Sequence, residues 1–331
     1  LSAELIAERL VSRASLAAMR LLIALGGNAM TGPDGEAGPE DQRLAIATAM
    51  ETVADLVVAG HGIVLTHGNG PQVGNLLLKN ELAADIVPPV PLDWCGAQTQ
   101  ATIGMLALNA LDRALAARGS STRSATLVSR TLVDRDDPAF KHPTKPIGRY
   151  LPDDEAQLMI EHGQHWVDRG VRGWRRVVGS PEPRACLDVA AATALLDDGW
   201  VVVCSGGGGI PIVYDAEQGY VGVEAVIDKD LTAALLAEQL AVDRLVIATD
   251  VDAAVIGWET PEARALGKVT AGELRKHAAD GHFASGSMGP KVEAACRFVE
   301  RTDRQAAITS LDRIAEAVHG EAGTVVVPDE R

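Results

Sequence analysis

The chain has 331 residues, 47% of them hydrophobic and 23% charged, a composition that supports a large buried core and excludes disordered and collagen-like classes. Its 45 Asp and Glu against 30 Lys and Arg give a formal charge of −15, a field that repels nucleic acid and anionic membrane surfaces, so an anionic ligand needs a local cluster of positive groups. The four cysteines, Cys95, Cys186, Cys204 and Cys296, form no C-x-x-C pair and no zinc spacing. They read as reduced, buried thiols of a cytoplasmic protein, and no apolar run reaches the roughly 18–20 residues that span a bilayer.

In chain order, residues 1–18 are amphipathic and carry Glu4 and Glu8, unlike a signal peptide. Met19 is a candidate start, which makes 1–18 an N-terminal extension and 19–331 a single domain. Apolar, β-branched runs at 21–25, 62–66, 124–128, 200–205, 244–249, 305–309 and 324–327 read as strands. Amphipathic stretches of helix length separate them, the pattern of a parallel sheet covered on both faces. Four of the strands end in Gly, Asn or Asp clusters that open helices, and in such sheets those clusters meet in one crevice at the carboxyl ends.

Residues 134–183 break the pattern. They are rich in Pro, Arg, Asp and Lys, and prolines at that density interrupt ladders and helix interiors alike. The stretch reads as a small subdomain protruding over the crevice.

Three glycine clusters close predicted strands: Gly26-Gly27-Asn28, His67-Gly68-Asn69-Gly70, and Ser205 followed by Gly206, Gly207, Gly208 and Gly209. Glycines there let backbone N–H groups approach an anion closely, and four successive glycines are costly to order unless the chain wraps a ligand. The second cluster has one residue too many for the dinucleotide fingerprint, which weakens a dehydrogenase reading and leaves it last among the alternatives, and no Walker spacing occurs, which excludes a P-loop enzyme. Only seven lysines accompany 23 arginines, and Lys141, Lys145, Lys229 and Lys291 lie beside Pro, Gly or Asp in loop-like sequence. A compact, mobile ammonium suits a phosphoryl group in transfer. Lys229 is flanked by Asp228 and Asp230, which could orient it or hold a metal. His67 reads as a residue that caps or packs the turn, and no Ser-His-Asp or Cys-His arrangement is evident.

Taken in order, residues 24–29, 66–77, 91–93, 137–148, 173–178, 206–211, 223–230 and 286–291 resemble the carbamate kinases of the amino acid kinase family. The Pro-Ala-Phe-Lys-His-Pro-Thr-Lys-Pro-Ile-Gly run at 138–148 is the most specific of these stretches. The resemblance implies an α/β fold, a three-layer α/β/α sandwich around a mainly parallel open sheet with a protruding subdomain. It also implies a homodimer and reversible phosphoryl transfer between carbamoyl phosphate with MgADP and carbamate with MgATP. Carried over, Lys145 reaches down from the subdomain, Lys229 and Lys291 hold phosphoryl oxygens, and Asp228 orients the lysines. Gly26, Gly27, Asn28, Gly68, Asn69, Gly70, Gly207 and Gly208 cradle the transferring group and carbamate. Thr249, Asp250, Val251, Met288 and Lys291 face the nucleotide, whose phosphates are the main ligands of Mg²⁺, with no side-chain metal set. Trp94, Gly96 and Arg149-Tyr150 depart from the family pattern. Other acceptors within the family, and a non-catalytic sensor of the same fold, are the alternatives.

Overall fold

The first strand, β1 (Arg20–Leu25), is buried at five of its six positions, as a strand covered on both faces must be. The structure is a computed structural model that describes residues 18–27, 31, 38–283 and 287–330. After β1 come α1 (Pro39–Val58), β2 (Gly62–His67), α2 (Gly70–Ala83), α3 (Leu92–Ala117), β3 (Ser124–Thr126), β4 (Arg130–Leu132) and β5 (Lys145–Leu151). Next in the chain are α4 (Asp153–Glu161), β6 (Trp166–Asp168), β7 (Trp174–Val178), β8 (Ala185–Cys186), α5 (Val189–Asp197), β9 (Val201–Val203), β10 (Ile210–Asp215) and β11 (Gly219–Gly222). The chain continues through α6 (Lys229–Gln239), β12 (Arg244–Thr249), β13 (Val255–Ile256), β14 (Arg264–Ala265), β15 (Lys268–Thr270) and α7 (Ala271–Ala279). It closes with α8 (Met288–Thr302), β16 (Gln305–Ser310), α9 (Ile314–His319) and β17 (Thr324–Val327).

Among the described residues the main sheet has eight strands in the order β15-β17-β16-β12-β1-β2-β9-β3. All seven predicted strands are in it. Every pairing is parallel except β16 with β17. Alternate side chains of one strand face opposite layers: Leu22 and Ala24 join Ala233, Leu236, Leu274, Val292 and Phe298 of α6, α7 and α8. Leu21, Ile23 and Leu25 join Ile46, Met50, Ile103, Leu111 and Ile314 of α1, α3 and α9. The result is the three-layer α/β/α sandwich. The predicted strands 124–128 and 200–205 end early, at Thr126 and Val203, because the chain there turns off the main sheet. It feeds a second sheet, β11-β10-β4-β8, that the sequence pattern did not reveal.

Within 134–183, β5, β7 and β6 form an antiparallel sheet with α4, closed by a small cluster of Leu151, Ala156 and Trp166. All four cysteines are buried, and burial pushes the Cys186 and Cys296 thiols up to about 12. Among the described residues no helix is long and apolar enough to cross a membrane.

Candidate functional site

The glycine clusters meet where the carboxyl ends of β1, β2, β9 and β12 lie side by side. A Cβ on Gly26 would stand 2.9 Å from the Ala248 carbonyl oxygen at the end of β12, and one on Gly68 would stand 3.3 Å from Gly27. Gly207 (φ +67°) lies so near Asn69 that a Cβ would come within 2.1 Å of its side-chain nitrogen. Gly208 (φ +90°) is as tight against the Ile227 carbonyl oxygen, at 2.5 Å. Only glycine adopts these conformations and allows these approaches at low cost. The loops after β1, β2 and β9 and the entry to α6 are thus one connected surface.

Side chains from four elements fix the peptide planes of the third cluster. Thr66 Oγ1 donates to the Ser205 carbonyl at 2.9 Å, and Gln100 Nε2 donates to that of Gly206 at 2.9 Å. Thr131 and Thr232 hydroxyls both donate to the Gly208 carbonyl, at 2.9 and 3.0 Å. Because a peptide is planar, holding each carbonyl also aims the N–H on the other side of the plane. Asn69, at the N-cap position of α2 but with no capping side-chain bond, donates from Nδ2 to Thr99 Oγ1 at 2.8 Å. His67 is buried against Gly206, and its Nδ1 is 2.9 Å from the Gly68 carbonyl. A carbonyl only accepts, so Nδ1 carries the proton. Burial, with a smaller contribution from the Lys229 charge, lowers its pKa to about 4, so the ring is neutral and packs the turn.

The lysines come together around two aspartates. Lys145, the first residue of β5, donates from Nζ to Asp228 Oδ2 at 2.9 Å. The other oxygen of Asp228 accepts the N–H groups of Asp230 and Leu231, at 2.9 and 3.3 Å, and so caps α6. Asp230, 4% exposed, receives Lys229 Nζ on Oδ1 at 2.5 Å and Lys291 Nζ on Oδ2 at 3.2 Å. Lys291, in the first turn of α8, also donates to the Ser287 carbonyl at 3.3 Å. Burial alone would raise the Asp230 carboxyl, but the two ammonium groups outweigh it and hold it below the usual carboxylate range. Three ammonium groups against two carboxylates leave a positive surplus, the local cluster that an acidic chain needs in order to hold anions.

The expectation that Asp228 orients all the lysines is corrected in part. Asp228 meets Lys145, while Asp230 takes Lys229 and Lys291. The difference comes from the helix start: Asp228 stands outside α6 with extended backbone, and Asp230 lies inside its first turn. Thr249 is buried beside Gly26 at the end of β12 and donates to Asp250 Oδ1 at 2.9 Å. Met288 opens α8 and packs on the core beneath α6 and α7. Asn28 and Gly286 lie outside the described residues. Lys141 is exposed, at the end of the 138–140 turn. Trp94 is exposed on α3, and Arg149 pairs with Glu81 and Glu155 at the far end of β5.

Sequence reasoning did not single out Gln100, Thr131 and Thr232 among the supports of the loop. Nothing in the sequence marks a polar residue in a helix or strand as the one that anchors a distant carbonyl.

Comparison with known proteins gives the family to which this chain belongs. The profile of the amino acid kinase family matches residues 19–310. The chain is 44% identical to the carbamate kinase of Thermococcus kodakarensis over 313 residues, covering 93% of this chain and 99% of that one. It is 42% identical to the carbamate kinase of Trichomonas vaginalis, covering 94% and 100%. The solved structure of carbamate kinase from Giardia lamblia bound to AMP-PNP superimposes with a TM-score of 0.90 at 40% identity, covering 95% of this chain and 99% of that one.

Proposed function

Because this chain belongs to the amino acid kinase family and, within it, to the carbamate kinases, we propose that it moves a phosphoryl group reversibly between carbamoyl phosphate with MgADP and carbamate with MgATP. The observation that carries this reading is the buried Lys229–Asp230–Lys291 triad beside the converging glycine loops, with Lys145 brought to it from β5.

Carbamate is already an oxyanion, so its attack on a γ-phosphoryl group needs no base. The neutral, buried His67 therefore has no proton to take. Catalysis then rests on in-line placement and neutralisation of the charge spread over the phosphoryl oxygens. In this reading Gly26, Gly27, Gly68, Gly70, Gly207 and Gly208 hold the carbamoyl side with backbone N–H groups. Thr249, Asp250, Val251 and Met288 face the nucleotide. Lys229 and Lys291 are kept apart by the two oxygens of Asp230, so that each ammonium can meet a different phosphoryl oxygen. Lys145 completes the charge from the other side.

Asp228 and Asp230 already have their oxygens on ammonium and N–H groups. That fits a magnesium ion that the phosphates of the nucleotide would hold, where it would supply neutralisation of phosphate charge. The unit over 19–331 acts as one catalytic domain, residues 134–183 cover the site, and two copies form the working dimer, which light scattering on the purified protein would measure.

The direct test is ATP formation from carbamoyl phosphate and MgADP in a coupled assay, with acetyl phosphate as comparator. Turnover faster with carbamoyl phosphate is expected, and Lys145→Ala or Lys229→Ala should lower kcat by about 10²–10³, as loss of a charge contact in the transition state does. Near-normal kcat in both variants would overturn the roles given to these lysines.

A further inference from the structure

Two of the clustered lysines stand on different elements, Lys145 on the β5-β7-β6 sheet and Lys291 on α8, and contacts between these elements bear on their separation. The two legs that join that sheet to the rest of the chain are tied together near their base. Asp137 in the first leg accepts the Ala139 N–H on Oδ1 at 2.8 Å and, on Oδ2, the N–H of Glu182 in the second leg at 2.9 Å. Glu182 lies just beyond the strand end that pairs with Lys145, whose register partner is Val178. The Glu182 side chain then crosses to α8 and forms an ion pair with Arg297.

Arg297 is itself braced. Its Nε is 2.6 Å from Glu293 Oε1, and the other oxygen of Glu293 is 2.7 Å from Arg275 Nη1 on α7. The pair spans a crevice of about 130 Å³ bordered by Leu231, Leu235 and Phe298. The charged contact runs beside this crevice and links the second leg to α8. We propose that the Glu182–Arg297 pair is a strut that sets the position of Lys145 relative to Lys291, making both members positioning residues for phosphoryl transfer although neither touches the site.

This inference rests on the phosphoryl-transfer reading above. The pair is partly exposed, 28% for the Arg297 side chain and 37% for that of Glu182, so its loss should change global stability little. Small displacements of a catalytic group are nonetheless costly to rate. Glu182→Gln and Arg297→Gln should each lower kcat about tenfold at an unchanged KM for MgADP and a nearly unchanged thermal midpoint.

The discriminating measurement is the same Glu182→Gln change made in Lys145→Ala protein. If the strut acts through Lys145, the second change has no further effect on kcat, whereas a general weakening of the fold would multiply the two losses. Arg297→Gln reads the same pair from α8 should Glu182→Gln fold poorly. Wild-type kcat in both single variants, or multiplied losses in the double variant, would overturn the proposal while leaving the enzymatic reading intact. Absence of turnover in the wild-type protein would instead overturn that reading, and the strut with it.

Discussion

Asp230 divides its carboxylate between two ammonium groups, Lys229 on Oδ1 and Lys291 on Oδ2, and all three side chains are nearly closed to solvent. Asp230→Asn offers only one acceptor oxygen and leaves two positive charges without a counter-charge. We expect unfolding free energy to drop by about 3–5 kcal/mol, the usual cost of stranding a buried charge, and kcat to fall by about 10² or more. Urea unfolding and steady-state ATP formation measure the two effects; a fully stable Asp230→Asn protein would show that the triad is not a tight unit.

Asp228 does two jobs with two oxygens, one capping α6 and one holding Lys145. Asn also caps helices well, so Asp228→Asn should lose the carboxylate charge that faces Lys145 yet keep the cap, while Asp228→Ala loses both. The alanine variant should be about 1 kcal/mol less stable than the asparagine variant, with similar kcat for the two. Equal denaturation midpoints would remove the cap from the account.

The pKa of His67 is near 4 in the folded protein, chiefly through burial, against about 6.5 in the unfolded chain. As pH falls from 6.5 through 4, the unfolded chain takes up this proton before the folded one does, so the folded state loses stability across that window, on the order of 3 kcal/mol. Asp230, with its carboxyl held low, adds a loss at still lower pH. Thermal midpoints between pH 7.5 and 4 should therefore decline, and His67→Gln should flatten the decline above pH 4. An equally steep profile in that variant would assign the acid sensitivity elsewhere.

Gly207 and Gly27 separate two uses of glycine. An added Cβ at Gly207 collides with Asn69 at a left-handed φ, whereas at Gly27 it meets no atom within 4 Å. Gly207→Ala should lower stability by about 1–3 kcal/mol and disable the loop. Gly27→Ala should fold normally yet raise KM for carbamoyl phosphate about tenfold if, as proposed, the ligand approaches the backbone where the methyl group would stand. Unchanged KM in Gly27→Ala would place the ligand away from this loop.

The central strands were legible because burial on both faces leaves an unbroken apolar run, as in Leu21 to Leu25. The strands β4, β8, β10 and β11 were not. They are short, one begins Ile210-Pro211, and they pair with each other across the chain, so no local period marks them. For β17 the run of valines disclosed a strand, but its antiparallel direction depends on α9 and the turn at Gly320, a tertiary matter.

The scarcity of lysine made Lys145, Lys229 and Lys291 visible as a group. The symmetric Asp-Lys-Asp flank could not disclose which aspartate meets which ammonium, since that depends on the residue at which α6 begins. Lys141 shared the same loop-like surroundings and yet is exposed, because a loop context marks freedom from packing and not direction.

The earliest strand among the described residues, β1, lies in the middle of the main sheet, with β2 on one side and β12 on the other. Its neighbour β2 emerges within a few dozen residues, but β12 is more than two hundred residues further along. On a ribosome adding about 5–20 residues per second, β1 therefore waits roughly 10–40 s with one edge unpaired before its second neighbour emerges. During that interval the nascent chain carries an open apolar strand edge, a liability for mispairing with other chains, and chaperone capture of the first half of this protein is the natural protection.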